Sequence, residues 1–327
     1  MKNHRPFKSL FNLIIIGTSF LIPCQDCIGQ SHGQIASPNQ EKEIQHRYGL
    51  DPSKPLIARV GEASADVLKT FRDAGMSPRK HILTEQERTI VNRAFGGLTP
   101  LHKRVLLAHL RSISFLDDMP NTALTSTINP KDPFPLFDIT FRAGILKQNL
   151  SEWITEKERT CFNTTGSNIS VSIEAGTLDA ITYVLLHETT HVVDGSLEIT
   201  PGKNSGIVPL NSFVTGVWVD RTTIAPAFHE HFLDSTRFRR AKVLSIKLAD
   251  SVYTALEHTP FVSLYSTSSW HEDLAEFVSV YNFTKLKKQP FRIVLHDANK
   301  EIFSYEPMKS KLVRKRIRFV KRFYADA

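Results

Sequence analysis

The spacing of apolar and polar positions divides the chain into recognisable elements. Residues 63–75 and 84–96 repeat apolar side chains at helical spacing, and the second segment opens with Thr84 and Glu87, the two ends of a capping box. Gly96-Gly97 ends it, and Thr99 with Pro100 suits the N-cap and first position of a third helix reaching about residue 110. RSISFLD (111–117), LFDITFR (136–142) and NISVSIE (168–174) alternate and predict strands. A markedly apolar helix is predicted from Leu178 to about Val193, with Thr177 as N-cap and Asp179 in the first turn. Residues 195–228 are loop-rich. Helical spacing returns over 237–257 and 270–283, and 291–296 with 301–305 predict a β-hairpin turning at Asp297-Ala298-Asn299. Residues 30–60, polar and punctuated by Pro38, Pro52 and Pro55, read as a linker. Helices and strands in this order predict an α+β fold.

Composition narrows the class. The 327 residues are 41% hydrophobic and 23% charged, enough to bury a core, which excludes general disorder. Three cysteines are too few for a disulfide scaffold or a cysteine-based zinc finger. A mean hydropathy of -0.19 and a single long apolar run exclude a polytopic membrane protein.

That run lies near the N-terminus. Lys2, Arg5 and Lys8 precede an apolar stretch from Leu10 to Pro23, too short to span a bilayer and placed where a signal peptide sits. Cys27 and Gly29 occupy the −3 and −1 positions of a cut before Gln30. Residues 1–29 are therefore expected to be a signal peptide, and the protein to be exported to a bacterial periplasm, cell surface or medium. Cys24 after Leu21-Ile22-Pro23 weakly resembles a lipobox cysteine, with Pro23 a poor residue at that place. After a cut at Gly29, Cys161 would be left alone and would form no internal disulfide.

Charge is concentrated at the other end. The chain carries +8, and residues 307–327 hold eight Lys or Arg against Asp326. Leu312, Ile317, Val320 and Phe323 recur among them at helical spacing. Two readings stay open. The one favoured here is a terminal helix packed by its apolar stripe, with a solvated charged face dispensable for chemistry. The other is a basic amphipathic helix touching an anionic surface or membrane. Nucleic acid is not expected as a partner, because interleaved aromatics are lacking and export removes the chain from it.

The chemistry concentrates in the apolar helix, at His187-Glu188-Thr189-Thr190-His191. Two histidines at i and i+4 share a helical face and bring their imidazoles to one ion. Unpaired imidazoles on a buried helix are costly, and a metal satisfies them. Zn²⁺ takes imidazole readily and, in a catalytic site, wants a third protein ligand and an open position. Glu188, beside the first histidine, is suited to take a proton from the attacking water. The third ligand is expected on a later helix, at Trp270-His271-Glu272-Asp273-Leu274-Ala275-Glu276-Phe277.

This segment resembles the E-x-x-A-E element of gluzincin metallopeptidases of the HExxH type, in the branch that includes anthrax lethal factor. The resemblance covers residues 105–285 as an order of elements and is specific only at the pentad and at the Tyr265/Glu272/Glu276 spacing. It implies a zincin-like catalytic domain, Glu272 as third metal ligand, and Tyr265, seven residues earlier, as the oxyanion partner. Glu276, one turn on, is expected to hydrogen-bond a ligating histidine, and Asp194, three residues past His191, to orient one. His271 is a rival ligand, excluded from binding together with its neighbour Glu272. His229-Glu230-His231 is a weaker rival pair, since i and i+2 do not share a helical face. NISVSIE, just upstream of the motif helix, is expected to be the edge strand along which an extended peptide adds.

The expected organisation is a signal peptide (1–29), a linker (30–60), a helical N-terminal region (61–104), a zincin-like domain (105–287), and a hairpin with a basic C-terminal helix (288–327). The expected function is that of an exported hydrolase holding one Zn²⁺ per chain and acting on peptide or protein substrates. The alternative is a non-catalytic exported binding or surface protein that retains the zincin-like fold. Glu188 argues against it, because a structural site needs no carboxylate beside its ligand.

Overall fold

In the computed structural model, residues 36–202 and 208–325 are described. The expected signal peptide, with Cys24, Cys27 and Gly29, lies outside them. The central sheet contains β1 (Val60–Gly61), β2 (Arg79–His81), β3 (Leu110–Asp117), β4 (Ala123–Thr127) and β5 (Phe137–Arg142). Its order is β1-β3-β5-β4, with β2 also paired to β3. β3 and β5 are parallel, Ile113 opposite Ile139, and β4 runs antiparallel to β5 with Thr125 opposite Ile139. β4 is therefore an edge strand with one side unpaired among the described residues. β6 (Phe162–Asn163) pairs with a distant short strand, whereas β7 (Ile169–Glu174) belongs to a separate sheet. The partner of β6 is β8 (Leu244–Ser245), and β9 (Arg292–Asp297) lies between β7 and β10 (Lys300–Tyr305).

The helices are α1 (Pro38–Arg47), α2 (Ala65–Asp73), α3 (Glu85–Gly96), α4 (Pro100–His109), α5 (Leu150–Arg159) and α6 (Ala180–Leu197). They continue as α7 (His231–Asp234), α8 (Ala249–Glu257), α9 (Trp270–Tyr281) and α10 (Lys311–Val320). The mixed α+β class expected from the sequence is present. No helix among the described residues is long and apolar enough to cross a membrane.

Local chemistry explains where the elements start. Thr84 and Glu87 form the expected capping box on α3, and the Thr99 hydroxyl accepts from the His102 amide at the start of α4. α6 begins two residues later than expected. The Leu178 carbonyl accepts from the Leu150 amide and the Ala180 amide donates to Gln148, so this stretch is extended and Asp179, not Thr177, is the N-cap. Helical spacing over 237–257 also resolves differently. A turn at Arg237–Arg239 ends with Arg240 in the left-handed region, β8 follows, and only α8 is a regular helix.

Of the segment expected to be a linker, the described residues 36–60 are folded. Ser37 and Gln40 make a capping box and Pro38 occupies the first turn of α1, the one helical place where proline fits without loss. Arg59 is buried, and its guanidinium donates to the carbonyls of Leu106, Leu107 and Leu110 around the C-terminal end of α4. The expected segment boundaries do not mark separate cores. One apolar cluster runs from Leu56 to Phe323 and includes side chains of α3, α4, α6, α9, the hairpin and α10.

The C-terminal helix is part of that cluster. Val313, Val320 and Phe323 are fully buried, and Ile317 packs beside them. Arg316 is buried too, which corrects the expectation of a charged face entirely in solvent.

Candidate metal centre

α6 and α9 pack against each other and between them assemble the site. α6 presents His187 and His191 one turn apart. α9 is capped by Ser269, whose hydroxyl accepts from the Glu272 amide, so Glu272 sits in the first turn, where the helix dipole favours a carboxylate. The result is a triangle of donors. His187 Nε2 lies 3.0 Å from Glu272 Oε2, His191 Nε2 lies 3.3 Å from the same oxygen, and the two imidazole nitrogens are 3.2 Å apart. Among the described residues this is the one grouping of three such side chains with metal-ligand spacing.

The spacing fits a metal. Tetrahedral zinc with bonds of about 2.0–2.2 Å places neighbouring donors about 3.3–3.6 Å apart, close to this triangle. The donor set, two imidazoles and one carboxylate, is one that zinc accepts, and three protein donors leave a fourth position open.

Electrostatics favour positive charge here. Burial works against a charged His187, but the carboxylates of Glu272 and Glu276 outweigh it and raise the imidazole to about 9. Burial also opposes the charged form of His191, and Glu272 again prevails and raises it. Glu272 is held well below the usual carboxylate range, its burial outweighed by His191 and His187. Glu276 is almost fully buried. Its desolvation is outweighed by the Lys157 ammonium and by His187, and its carboxyl falls to about 2.

The neighbours fix these groups in place. Glu276 Oε1 stands 3.1 Å from His187 Nδ1, as the one-turn spacing from Glu272 led us to expect, though too far off line for a regular hydrogen bond. Its other oxygen accepts from Ser263 Oγ at 2.7 Å, and Lys157 Nζ approaches Oε1 to 3.6 Å. The Tyr265 ring lies 5.9 Å from the His187 ring, and it also meets the edge of Phe238 and the Lys157 ammonium, which sits 3.5 Å from its centroid. Glu188 is half-buried, and its Oε2 accepts from Thr125 Oγ1 on edge strand β4 at 2.6 Å.

A second brace holds the motif helix from behind. Thr190 Oγ1 donates to the Leu186 carbonyl at 2.7 Å, so it accepts from His102 Nε2 at 3.0 Å, and Thr99 Oγ1 donates to His102 Nδ1 at 2.7 Å. Burial drives His102 down to about 3, which keeps it neutral and suited to this arrangement.

Some expected roles are not met. Both oxygens of Asp194 are taken up by Thr200 and by His271 Nδ1, so Asp194 orients neither His187 nor His191. The local spacing from His191 pointed elsewhere because α9 brings His271 over the end of α6. His271 is not a donor in the triangle, since its Nε2 accepts from Trp270 Nε1. His229 is exposed and pairs with Asp234, which removes His229-Glu230-His231 as a rival. Cys161 is buried, and burial pushes its thiol well above the usual range, so it is no nucleophile. β7 is an edge strand, but its sheet packs on α5, and β4 is the strand that touches Glu188.

Thr125, Lys157 and His102 escaped the sequence reading. The capping signature Asn149-x-x-Glu152 before Leu150, Trp153 and Ile154 could have located α5, and Lys157 with it. No family model, curated protein or solved structure matches the chain.

Proposed function

We propose that the protein is an exported zinc-dependent metallopeptidase with a zincin-like catalytic domain. The observation that carries this reading is the triangle of His187, His191 and Glu272 at 3.0–3.3 Å, with the accessible carboxylate of Glu188 on the same helix. The three donors would hold one zinc ion per chain, which supplies Lewis-acid polarisation of the scissile carbonyl and of water.

The protein's own groups do the rest. Glu188 takes the proton from the attacking water on its carboxylate and passes it to the leaving amine nitrogen. Thr125 holds that carboxylate by its hydrogen bond to Oε2. Tyr265 places its phenol beside His187 and stabilises the oxyanion that develops on the carbonyl oxygen. Glu276 holds His187 from its far nitrogen, and Lys157 balances the charge of Glu276. The open edge of β4, reaching Glu188, suits an extended peptide added as a further strand, with main-chain hydrogen bonds bringing a scissile bond to the site.

Export rests on Lys2, Arg5 and Lys8 before the apolar stretch Leu10–Pro23. A mature N-terminus near Gln30, read by mass spectrometry on protein from its native host, tests that part, and an intact Met1 would refute it.

Activity is tested with a mixed peptide library read by mass spectrometry. The wild type should cut it and Glu188→Gln should not. A library left uncut by zinc-loaded wild type would refute the reading.

A further inference from the structure

We propose that the outer face of α10 is a docking surface for anionic lipid bilayers. Lys311, Arg314, Lys315 and Arg318, continued by Lys321 and Arg322 in the turn that follows, are all exposed. On a helix these positions share one stripe, about 16 Å long at 1.5 Å per residue. None of the six makes an ion pair with the described residues, while Arg316, on the opposite side, is buried against Asp273. No Asp or Glu lies within α10.

A face that served solubility alone would interleave both signs. Here the neighbours at i+3 and i+4 are Lys311 with Arg314 and Lys315, then Arg314 and Lys315 with Arg318, and each such like-charge pair destabilises the helix. The repulsion is relieved when a surface of negative charge covers the stripe. The complement is therefore a polyanion.

Three features select a bilayer. The stripe is the convex outside of a packed helix, which meets a flat surface along its length. It offers no open aromatic platform for bases, because Phe319 is half-buried against the core with the Arg318 guanidinium 4.6 Å from its ring. The apolar stretch Leu10–Pro23 with its leading cations also directs the chain to a membrane. Insertion of α10 is ruled out, because its apolar side is already occupied by the core. Binding is then electrostatic, indifferent to neutral lipid and reversed by salt.

The test is co-sedimentation of the full chain with vesicles of phosphatidylcholine alone and with about 30% phosphatidylglycerol. The wild type should bind the anionic vesicles more strongly than the neutral ones and release them on raising salt from about 0.05 to about 0.5 M. Replacing Lys311, Arg314, Lys315 and Arg318 together by Gln should weaken the anionic binding on the order of a hundredfold, with thermal unfolding unchanged. If that variant does not fold, the lipid-charge and salt dependence of the wild type decide. Wild type and variant binding anionic vesicles alike, or no excess over neutral vesicles at low salt, overturns the proposal. So does a duplex DNA oligonucleotide that binds more tightly than the vesicles, which would reassign the surface to nucleic acid. None of the four residues belongs to the metal centre, so peptidase activity is not the readout and its failure leaves this result standing.

Discussion

Arg316 and Asp273 form a buried two-point ion pair that ties the C-terminal helix to the helix that carries Glu272. Arg316 Nη1 lies 3.0 Å from Asp273 Oδ1, and Nη2 donates to Oδ2. Trp218 Nε1 also donates to Asp273, and the guanidinium further donates to the carbonyls of Pro260 and Phe213 and stacks 3.9 Å from the Phe213 ring. Asp273 directly follows Glu272. The C-terminal helix is thus expected to be indispensable, against the sequence-based expectation that it is dispensable for chemistry. Arg316→Ala leaves a buried carboxylate without its partner and should lower unfolding stability by about 3–5 kcal/mol in urea denaturation. Replacing both residues by apolar ones of similar size should recover much of that loss. A loss below about 1 kcal/mol in the single variant would show that the pair is not a structural tie.

Glu188→Gln should keep zinc and thermal stability while peptide cleavage falls by about 10²–10⁴-fold, the usual weight of a general base. Thr125→Val should show a weaker form of the same defect, because Glu188 loses the hydrogen bond that aims it. Steady-state cleavage of a peptide found in the library screen measures both, and wild-type turnover in Glu188→Gln would dismiss the carboxylate from the chemistry.

His102 makes stability sensitive to acid. Its folded value of about 3 lies below the ordinary 6.5, so below pH 6.5 the unfolded chain takes up a proton that the folded one refuses until about pH 3. Its contribution is fully favourable above 6.5 and falls as pH drops through this window, by up to about 4–5 kcal/mol at 1.36 kcal/mol per unit. His102→Gln, neutral throughout, should flatten the stability profile between pH 6.5 and 3 while lowering stability at pH 7. An unaltered slope over that window would mean that the protonation of another group sets the acid limb.

Lys157→Met should leave the metal in place and impair both Glu276 and Tyr265, the first by removing its counter-charge and the second by removing the cation on its ring. Cleavage should drop and Lys157→Arg should restore part of it. Equal activity of Lys157→Met and the wild type would make the ammonium a bystander.

What was legible in the sequence was what one element carries by itself. The pentad declares its paired imidazoles because i and i+4 meet on a single helix, and the capping residues of α3 and α4 declare themselves within four positions. Glu272 needed the resemblance, since only the packing of α6 on α9 brings a residue 85 positions away from His187 to its side. β4, read as Ala-Leu-Thr-Ser-Thr, has too little apolar alternation to stand out, so Thr125 stayed hidden. Arg316 was masked by the surrounding cations, although it falls on the same stripe as Val313, Ile317 and Val320. α1 does not stand out in the sequence because Pro38 looks like a breaker, whereas it begins the helix.

The metal content of the purified chain tests the account at its centre. Elemental analysis after zinc loading and dialysis should give about one zinc per wild-type chain, and His187→Ala, His191→Ala and Glu272→Ala should each lose most of it while Glu188→Gln retains it. Full zinc occupancy in His187→Ala or Glu272→Ala, or a wild-type chain that takes up none, would contradict the assignment of these residues as a metal centre.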